Sequence, residues 1–416
     1  MHLVMLKQGS FTKIDFLKNL ALTILGKDSL EKVLGYFASP TTLRRLSNLE
    51  LTIMKVVHIT PTYFDGASII GGGERYPTEL AIWMSKVVDT TLVSFSSVRK
   101  SYKQDNLKIE IYPANYLIQN NKFNSLNFQY LSSIFSADVV HIHHLNALAS
   151  ALGAFSASLL GKHLVITDYG GGSGLGWKLN QLFQVLKFYH HATVYSCFGL
   201  DYLPAEIQKK AVLVKGGIDT ERFCPDFSQE KENTVLYVGR IVPHKGINYL
   251  IEAFRLLNRS DYKLKIIGRA YSERFYQDLK QLAEGLPVEF IHDADDRKLL
   301  EEYRTARVTV LPSVHTNSYG EYTPVPELMG FTLLESQACG TPVICTDAGA
   351  MHEFIDDGQT GFVVKQNSGE AIATALIRLL NLSPTEMSEC QTRCREWVQS
   401  LSWATVVQKH LEVYQQ

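Results

Sequence analysis

Thr234-Val235-Leu236-Tyr237-Val238-Gly239-Arg240-Ile241-Val242-Pro243-His244-Lys245-Gly246 is the stretch that decides the fold. Its first five residues are apolar or β-branched, the mark of a strand buried on both faces. From about Ile247 to Leu257 the apolar residues recur at helical spacing. A buried strand, a short loop and an amphipathic helix make one unit of an alternation that runs along most of the chain, which predicts parallel sheets covered by helices. In such sheets ligands bind at the C-terminal ends of the strands. Arg240 and Lys245 sit there, on one loop. Arg offers a planar fork and Lys a point charge, and together they suit a diphosphate. Either alone reads more readily as half of a surface salt bridge.

About ninety residues on stands Pro326-Glu327-Leu328-Met329-Gly330-Phe331-Thr332-Leu333-Leu334-Glu335-Ser336-Gln337-Ala338-Cys339-Gly340-Thr341-Pro342. The second carboxylate lies in a short helix ended by Gly340 and Pro342, and the first in the loop before it. A helix N-terminus presents unpaired N–H groups and partial positive charge to an anion. Carboxylates beside a phosphate site are repelled unless they accept hydrogen bonds from neutral hydroxyls. A ligand with both a diphosphate and a sugar satisfies that mixture. The plainer reading is a capping box, Thr332 to Glu335, in which the carboxylate only serves a backbone N–H.

Gly239-Arg240…Pro243-His244-Lys245-Gly246, and Glu327-x7-Glu335 followed by Ala338-Cys339-Gly340-Thr341-Pro342-Val343, resemble the two signature blocks of glycosyltransferase family 4. Other blocks match in order. Met54–Ile59 resembles the first strand, Gly71-Gly72-Gly73-Glu74-Arg75-Tyr76 the glycine loop, and Val139-Val140-His141-Ile142-His143 the strand with the active-site histidine. Lys215–Pro225 resembles the hinge strand, and Gly349…Glu353 with Asp357–Phe362 the segment after the catalytic helix. The resemblance covers about 54–416. It implies the GT-B fold: α/β, two Rossmann-like doubly wound parallel-sheet domains facing each other across a cleft.

The resemblance further implies a retaining, metal-independent enzyme, a hexosyltransferase. It would move sugar from a nucleotide-diphosphate donor to a glycan, lipid-linked or small-molecule acceptor, with no cofactor beyond that donor. Arg240, Lys245, the amides of Phe331, Thr332 and Leu333, and the Gly71 and Gly72 backbone would stabilise the leaving diphosphate. Glu335 would accept the ribose hydroxyls, Glu327 would hold the transferred sugar, and His143 would contact it near the reacting carbon. The catalytic set is then His143, Arg240, Lys245 and Glu327. Removing either cation is expected to cost orders of magnitude in rate with little effect on folding. A sugar phosphorylase, a nucleotide-sugar epimerase or a silent nucleotide-sugar binder of the same fold are the alternatives.

At 416 residues the chain is too long for one ordinary domain. With 45% hydrophobic residues and a formal net charge of −1, it has no global bias toward nucleic acid. No apolar run reaches the roughly eighteen residues of a membrane helix. The six cysteines form no paired framework and read as reduced core residues of a cytoplasmic protein. The polar run Asp226–Asn233 reads as a linker. The expected organisation is an N-terminal helical extension at 1–53, an acceptor-side domain at 54–225, a donor-binding domain at 234–396, and a helix crossing back at 397–416. Three readings compete for 1–53: a helical cap, an interfacial membrane helix, and an upstream extension ahead of a start at Met54. The helical cap is the favoured reading; the charge of Arg44 and Arg45 adds a little to the membrane reading, with its peripheral contact at the inner face of a membrane.

Other motifs are weaker. Asp293-Ala294-Asp295 matches a manganese-binding pattern of a different glycosyltransferase fold, but here it follows a strand of the second domain. His141, His143 and His144 suggest a metal cluster, yet on a strand His141 and His143 share one face and His144 takes the other. His141 reads as a hydrogen-bonded core residue. Asp168–Gly174 is either a flexible turn or an acceptor loop; the family often has a histidine there. The Ser313–Pro326 stretch is longer than the family's usual link, and His292 and Arg269 also depart from its pattern.

Overall fold

The structure, a computed structural model, describes residues 54–63, 72–114, 116–118, 121, 124–170, 173–226 and 228–416. The expected extension at 1–53 and Gly71 lie outside them. The described residues fall into two compact units, one from 54–63, 77–165 and 173–188, the other from 72–76, 166–170 and 189–416.

The first sheet has eight strands in the order β10-β9-β8-β7-β1-β2-β4-β3. They are β1 (Lys55–Tyr63), β2 (Asp89–Ser96), β3 (Lys100–Gln104), β4 (Leu107–Pro113), β7 (Val139–His143), β8 (His163–Thr167), β9 (His191–Val194) and β10 (Ala211–Leu213). β5 (Tyr116–Leu117) and β6 (Ser125–Leu126) form a separate pair. β1 runs parallel to β2 and β7, while the exposed edge strand β3 is antiparallel to β4. The helices are α1 (Gly72–Met84), α2 (Leu148–Leu159), α3 (Gly174–Leu182), α4 (Cys197–Asp201) and α5 (Ala205–Gln208). α2 exists because Ala and Gly line its buried side, letting the helix approach β1 and β7 closely.

The second sheet has six strands in the order β13-β12-β11-β14-β15-β16, every adjacent pair parallel. They are β11 (Thr234–Val238), β12 (Lys263–Ile267), β13 (Val288–Ile291), β14 (Val308–Leu311), β15 (Val343–Thr346) and β16 (Gly361–Val364). Between and after them come α6 (Ile247–Leu257), α7 (Glu273–Leu282), α8 (Asp296–Thr305), α9 (Phe331–Ala338), α10 (Gly369–Leu380), α11 (Pro384–Gln399) and α12 (Trp403–Tyr414). α6 buries Ile247, Leu250, Ile251, Phe254 and Leu257 against this sheet, the i, i+3, i+4, i+7 stripe read from the sequence. α11 opens with Pro384 at its first turn and a reciprocal Ser383–Glu386 capping box.

Strand order reverses between β11 and β14, and in the other sheet between β1 and β7. At such a reversal the flanking loops diverge and leave a crevice beyond the strands' C-terminal ends. The Gly239–Gly246 loop follows β11 and the 312–330 stretch follows β14, so the two sequence blocks meet at the second sheet's crevice. The fold is GT-B in kind: α/β, with two largely parallel sheets.

Candidate functional site

The β11 strand delivers its loop with the Tyr237 hydroxyl donating to the Arg240 carbonyl at 2.9 Å and the Ile241 N–H bonding the Arg269 carbonyl at 2.9 Å. A 3₁₀ turn, Pro243–Lys245, then hands over to α6. Arg240 is exposed. Lys245 is the opposite, with a side chain only 10% exposed. Its Nζ donates to Glu327 Oε1, which also accepts from Ser313 Oγ at 3.2 Å. Two of the expected site residues are thus bound to each other.

His244 reports the field of this loop. Burial, then the neighbouring Lys245 charge and that of Arg240, push its imidazole down to about 4, with Glu327 opposing. It is neutral at physiological pH.

α9 begins at Gly330, which has φ +87° and no side-chain cap. Thr332 Oγ1 reaches back to the Val238 carbonyl at 3.1 Å, pinning the helix start to the end of β11. The Leu333 N–H bonds the Gly330 carbonyl at 3.0 Å, while those of Phe331 and Thr332 stand where a helix has no internal acceptor. The capping-box reading of Thr332 and Glu335 does not survive. Glu335 is buried and accepts from Arg75 Nη1 at 2.8 Å and from the Tyr303 hydroxyl at 2.8 Å. Burial first, and then Glu335, push the Tyr303 hydroxyl well above its ordinary pKa.

Arg75 belongs to the same unit through the segment 71–76. Gly72 opens α1, and a Cβ there would meet the Phe331 ring at 2.8 Å. Sequence reasoning missed Arg75 and Tyr303. Arg75 stood inside the quoted glycine block, but nothing in its spacing pointed to a carboxylate 260 positions away.

Glu353 is occupied as well. Its two oxygens accept the N–H groups of Cys197 and Phe198 at the start of α4, both at 2.9 Å, and it pairs with Lys215 at 2.7 Å. Burial alone would raise its pKa; Lys215 and the two amides outweigh that and lower it.

The remaining motifs sort as follows. Asp295 caps α8, accepting the Lys298 N–H at 2.7 Å, and His292 bridges the Gly268 carbonyl and the Tyr276 hydroxyl. The 313–326 stretch folds back at a Thr316–Tyr322 bridge and is tied down by Asn317, Gln366 and Asn367. Tyr319 anchors it to Asp278 and Arg274 of α7. Cys197, unlike the core cysteines expected, is exposed. In the first unit His143 is fully buried, with Nε2 2.9 Å from Nδ1 of His58. Among the described residues no helix is long and apolar enough to cross a membrane.

Residues 220–397, which hold both signature blocks, match the family described as glycosyl transferases group 1. The phosphatidyl-myo-inositol mannosyltransferase of Mycolicibacterium smegmatis is 25% identical over 289 residues, 67% of this chain and 71% of that protein. The chain spans about half the length of several other curated relatives it matches. Sucrose-phosphate synthase from Thermosynechococcus elongatus superposes with a TM-score of 0.70 at 19% identity, covering 87% of this chain and 98% of that one. HepE of Anabaena in complex with UDP-glucose gives a TM-score of 0.64 at 16% identity, over 86% and 99% of the two chains. Residues 220–397 thus match the group 1 glycosyl transferases, and the fold around them is that of GT-B structures.

Proposed function

We propose that the protein is a glycosyltransferase that moves a hexose from a nucleotide-diphosphate sugar to an acceptor hydroxyl, with retention and without a metal at the diphosphate. The observation that carries this reading is the convergence in the second unit. The Arg240–Lys245 loop and the N-terminus of α9 are locked together through Thr332 and Val238, and Glu327 is held against Lys245. Exposed Arg240 and the first amides of α9 suit the diphosphate, whose charge grows as the bond from the sugar C1 to its oxygen breaks. The acceptor oxygen forms the new bond at C1, and its proton passes to the departing phosphate. Glu327 orients sugar hydroxyls, and Glu335, already fixed by Arg75 and Tyr303, receives the ribose. Here His143's contact with the sugar is inferred from the family resemblance alone. The UDP-glucose held by HepE makes that donor the first to try, and the inositol lipid in the name of the mannosyltransferase makes inositol lipids the first acceptors.

The test is a thermal-shift and transfer assay with UDP-, GDP- and ADP-sugars on the wild type and on Arg240→Ala, an exposed position whose loss leaves folding intact. One nucleotide sugar should raise the melting temperature. The variant should bind it about 10- to 100-fold more weakly, the worth of a charge-assisted hydrogen bond. The product anomer should match the donor's, and added Mg2+ or Mn2+ should not raise the rate. A folded protein that no nucleotide sugar stabilises, and that transfers none, would overturn the reading.

A further inference from the structure

We propose that the solvent-facing side of α2, α3 and the 3₁₀ turn Val185–Phe188, in the first unit, is a docking surface for an anionic lipid membrane. The observation that carries this is an inverted helix. α3 buries Gly176 and Asn180, yet leaves Trp177 54% and Leu182 71% exposed. An ordinary surface helix does the reverse, with its apolar stripe inward and its polar residues outward. The inner side has a structural reason. A Cβ at Gly176 would lie 2.5 Å from the Asn146 backbone, and Asn180 Nδ2 donates to the Leu145 carbonyl at 2.7 Å. Close approach to that loop therefore demands a small residue and a hydrogen-bonding one. It places no demand on the outer side, where Trp177, Lys178, Gln181 and Leu182 share one exposed helix face.

The neighbouring elements continue the pattern. α3 packs on α2 and on the 185–188 turn, and the Phe155 ring of α2 lies 5.0 Å from that of Phe183. Leu159 at the end of α2 and Phe188 at the end of the turn are both exposed. A single exposed apolar side chain needs no explanation, but bulky ones gathered on elements that pack together mark an interaction surface. The charge of this layer is one-sided as well. Lys178 and Lys187 are exposed, and α2, α3 and the turn contain no Asp or Glu.

That charge selects the occupant. In a two-fold dimer the same patch meets itself, so lysines would face lysines with no carboxylate on these elements to pair them. An anionic bilayer complements both features. Its headgroups attract the ammonium groups, the lysine stems lie along apolar surface, and Trp, Leu and Phe enter the boundary between headgroups and acyl chains. At nine residues α3 is too short to span a bilayer, so the contact is peripheral. This surface uses no residue of the donor site and does not depend on the transferase reading, so the failure of either leaves the other standing.

The experiment sediments the full chain, without nucleotide sugar, with vesicles of phosphatidylcholine alone and of phosphatidylcholine mixed equally with phosphatidylglycerol. The wild type should bind the anionic vesicles about tenfold more tightly or better, and salt at about 1 M should remove that preference. Trp177→Ser with Leu182→Ser, both exposed positions, should weaken binding to the anionic vesicles by about tenfold or more. Lys178→Glu with Lys187→Glu should lower it to the level of the neutral vesicles. Leu256→Ser, at an exposed leucine of the second unit, should bind like the wild type. If the serine variant does not fold, Trp177→Phe decides: the blue shift that anionic vesicles induce in wild-type tryptophan emission should vanish. The proposal is overturned by a folded wild type with no preference for anionic vesicles, or by binding that is equal in the wild type and both double variants. It is also overturned by a stable dimer in light scattering that Trp177→Ser with Leu182→Ser dissociates.

Discussion

Lys245 and Glu327 form an ion pair with side chains only 10% and 14% exposed, on loops 82 positions apart. Removing one charge from such a pair leaves the other buried without compensation, at a cost of roughly 3–5 kcal/mol. The sequence-based expectation that either cation can be removed without harm to folding is therefore kept for exposed Arg240 and revised for Lys245. Lys245→Met should lose about 3 kcal/mol in urea unfolding as well as donor affinity. Lys245→Met with Glu327→Gln should recover most of the stability but none of the binding. Equal losses in the single and double variants would show that the pair is not coupled. Both residues were legible as candidates from their motifs, one from a strand-end loop and the other from a helix-start loop. Their contact was not, because spacing within each motif carries no information about the distance between them. The same holds for Arg75 and Tyr303, whose convergence on Glu335 is a property of the folded unit alone.

At the scale of elements the alternation of buried strand and amphipathic helix was readable. β11 and α6 fall where periodicity predicts them, and β7 where the family resemblance put it, because a buried strand and a one-sided helix differ in apolar spacing whatever their surroundings. α9 starts at Phe331, where the sequence reading put the helix N-terminus, and of its two readings the capping-box alternative fails because tertiary partners claim the Thr332 and Glu335 side chains. What positions Glu327 is an element of the opposite kind, a turn. Gly349 has φ +64°, and a Cβ there would lie 2.3 Å from the Glu327 carbonyl oxygen. Gly358 has φ +81° but open space around its Cβ position. Gly358→Ala should therefore cost only the left-handed backbone strain, about 1 kcal/mol. Gly349→Ala should cost about 2 kcal/mol or more, because backbone must move as well. It should also weaken donor binding about tenfold by displacing Glu327, roughly 1.4 kcal/mol. Calorimetry of donor binding checks this, and equal affinity in the two alanine variants would refute a positioning role for the turn.

At the scale of the whole molecule, the run 226–233, which sequence alone reads as a polar linker, holds a residue that is far from a linker's solvated charge. Lys231 Nζ donates to the Arg304 carbonyl at 2.8 Å and to Thr341 Oγ1, behind the buried cysteines 339, 390 and 394. Burial pushes its amine down to about 8 from an ordinary value of 10.5. Below pH 8 both the folded and unfolded chains carry the proton, and the folded one bears the full cost of a buried ammonium. Between pH 8 and 10.5 the folded chain releases its proton first, so that cost fades as pH rises; above 10.5 neither form is charged. The difference of about 2.5 units corresponds to about 3 kcal/mol. Relative to Lys231→Met, the wild type should therefore gain about 3 kcal/mol in stability as pH rises from 8 to 10.5. Taking the difference between the two proteins removes the titration of every other lysine and tyrosine. Urea midpoints for the second unit, measured across that range, would run parallel if the Lys231 amine were solvated, and would diverge if the apparent linker is part of the core.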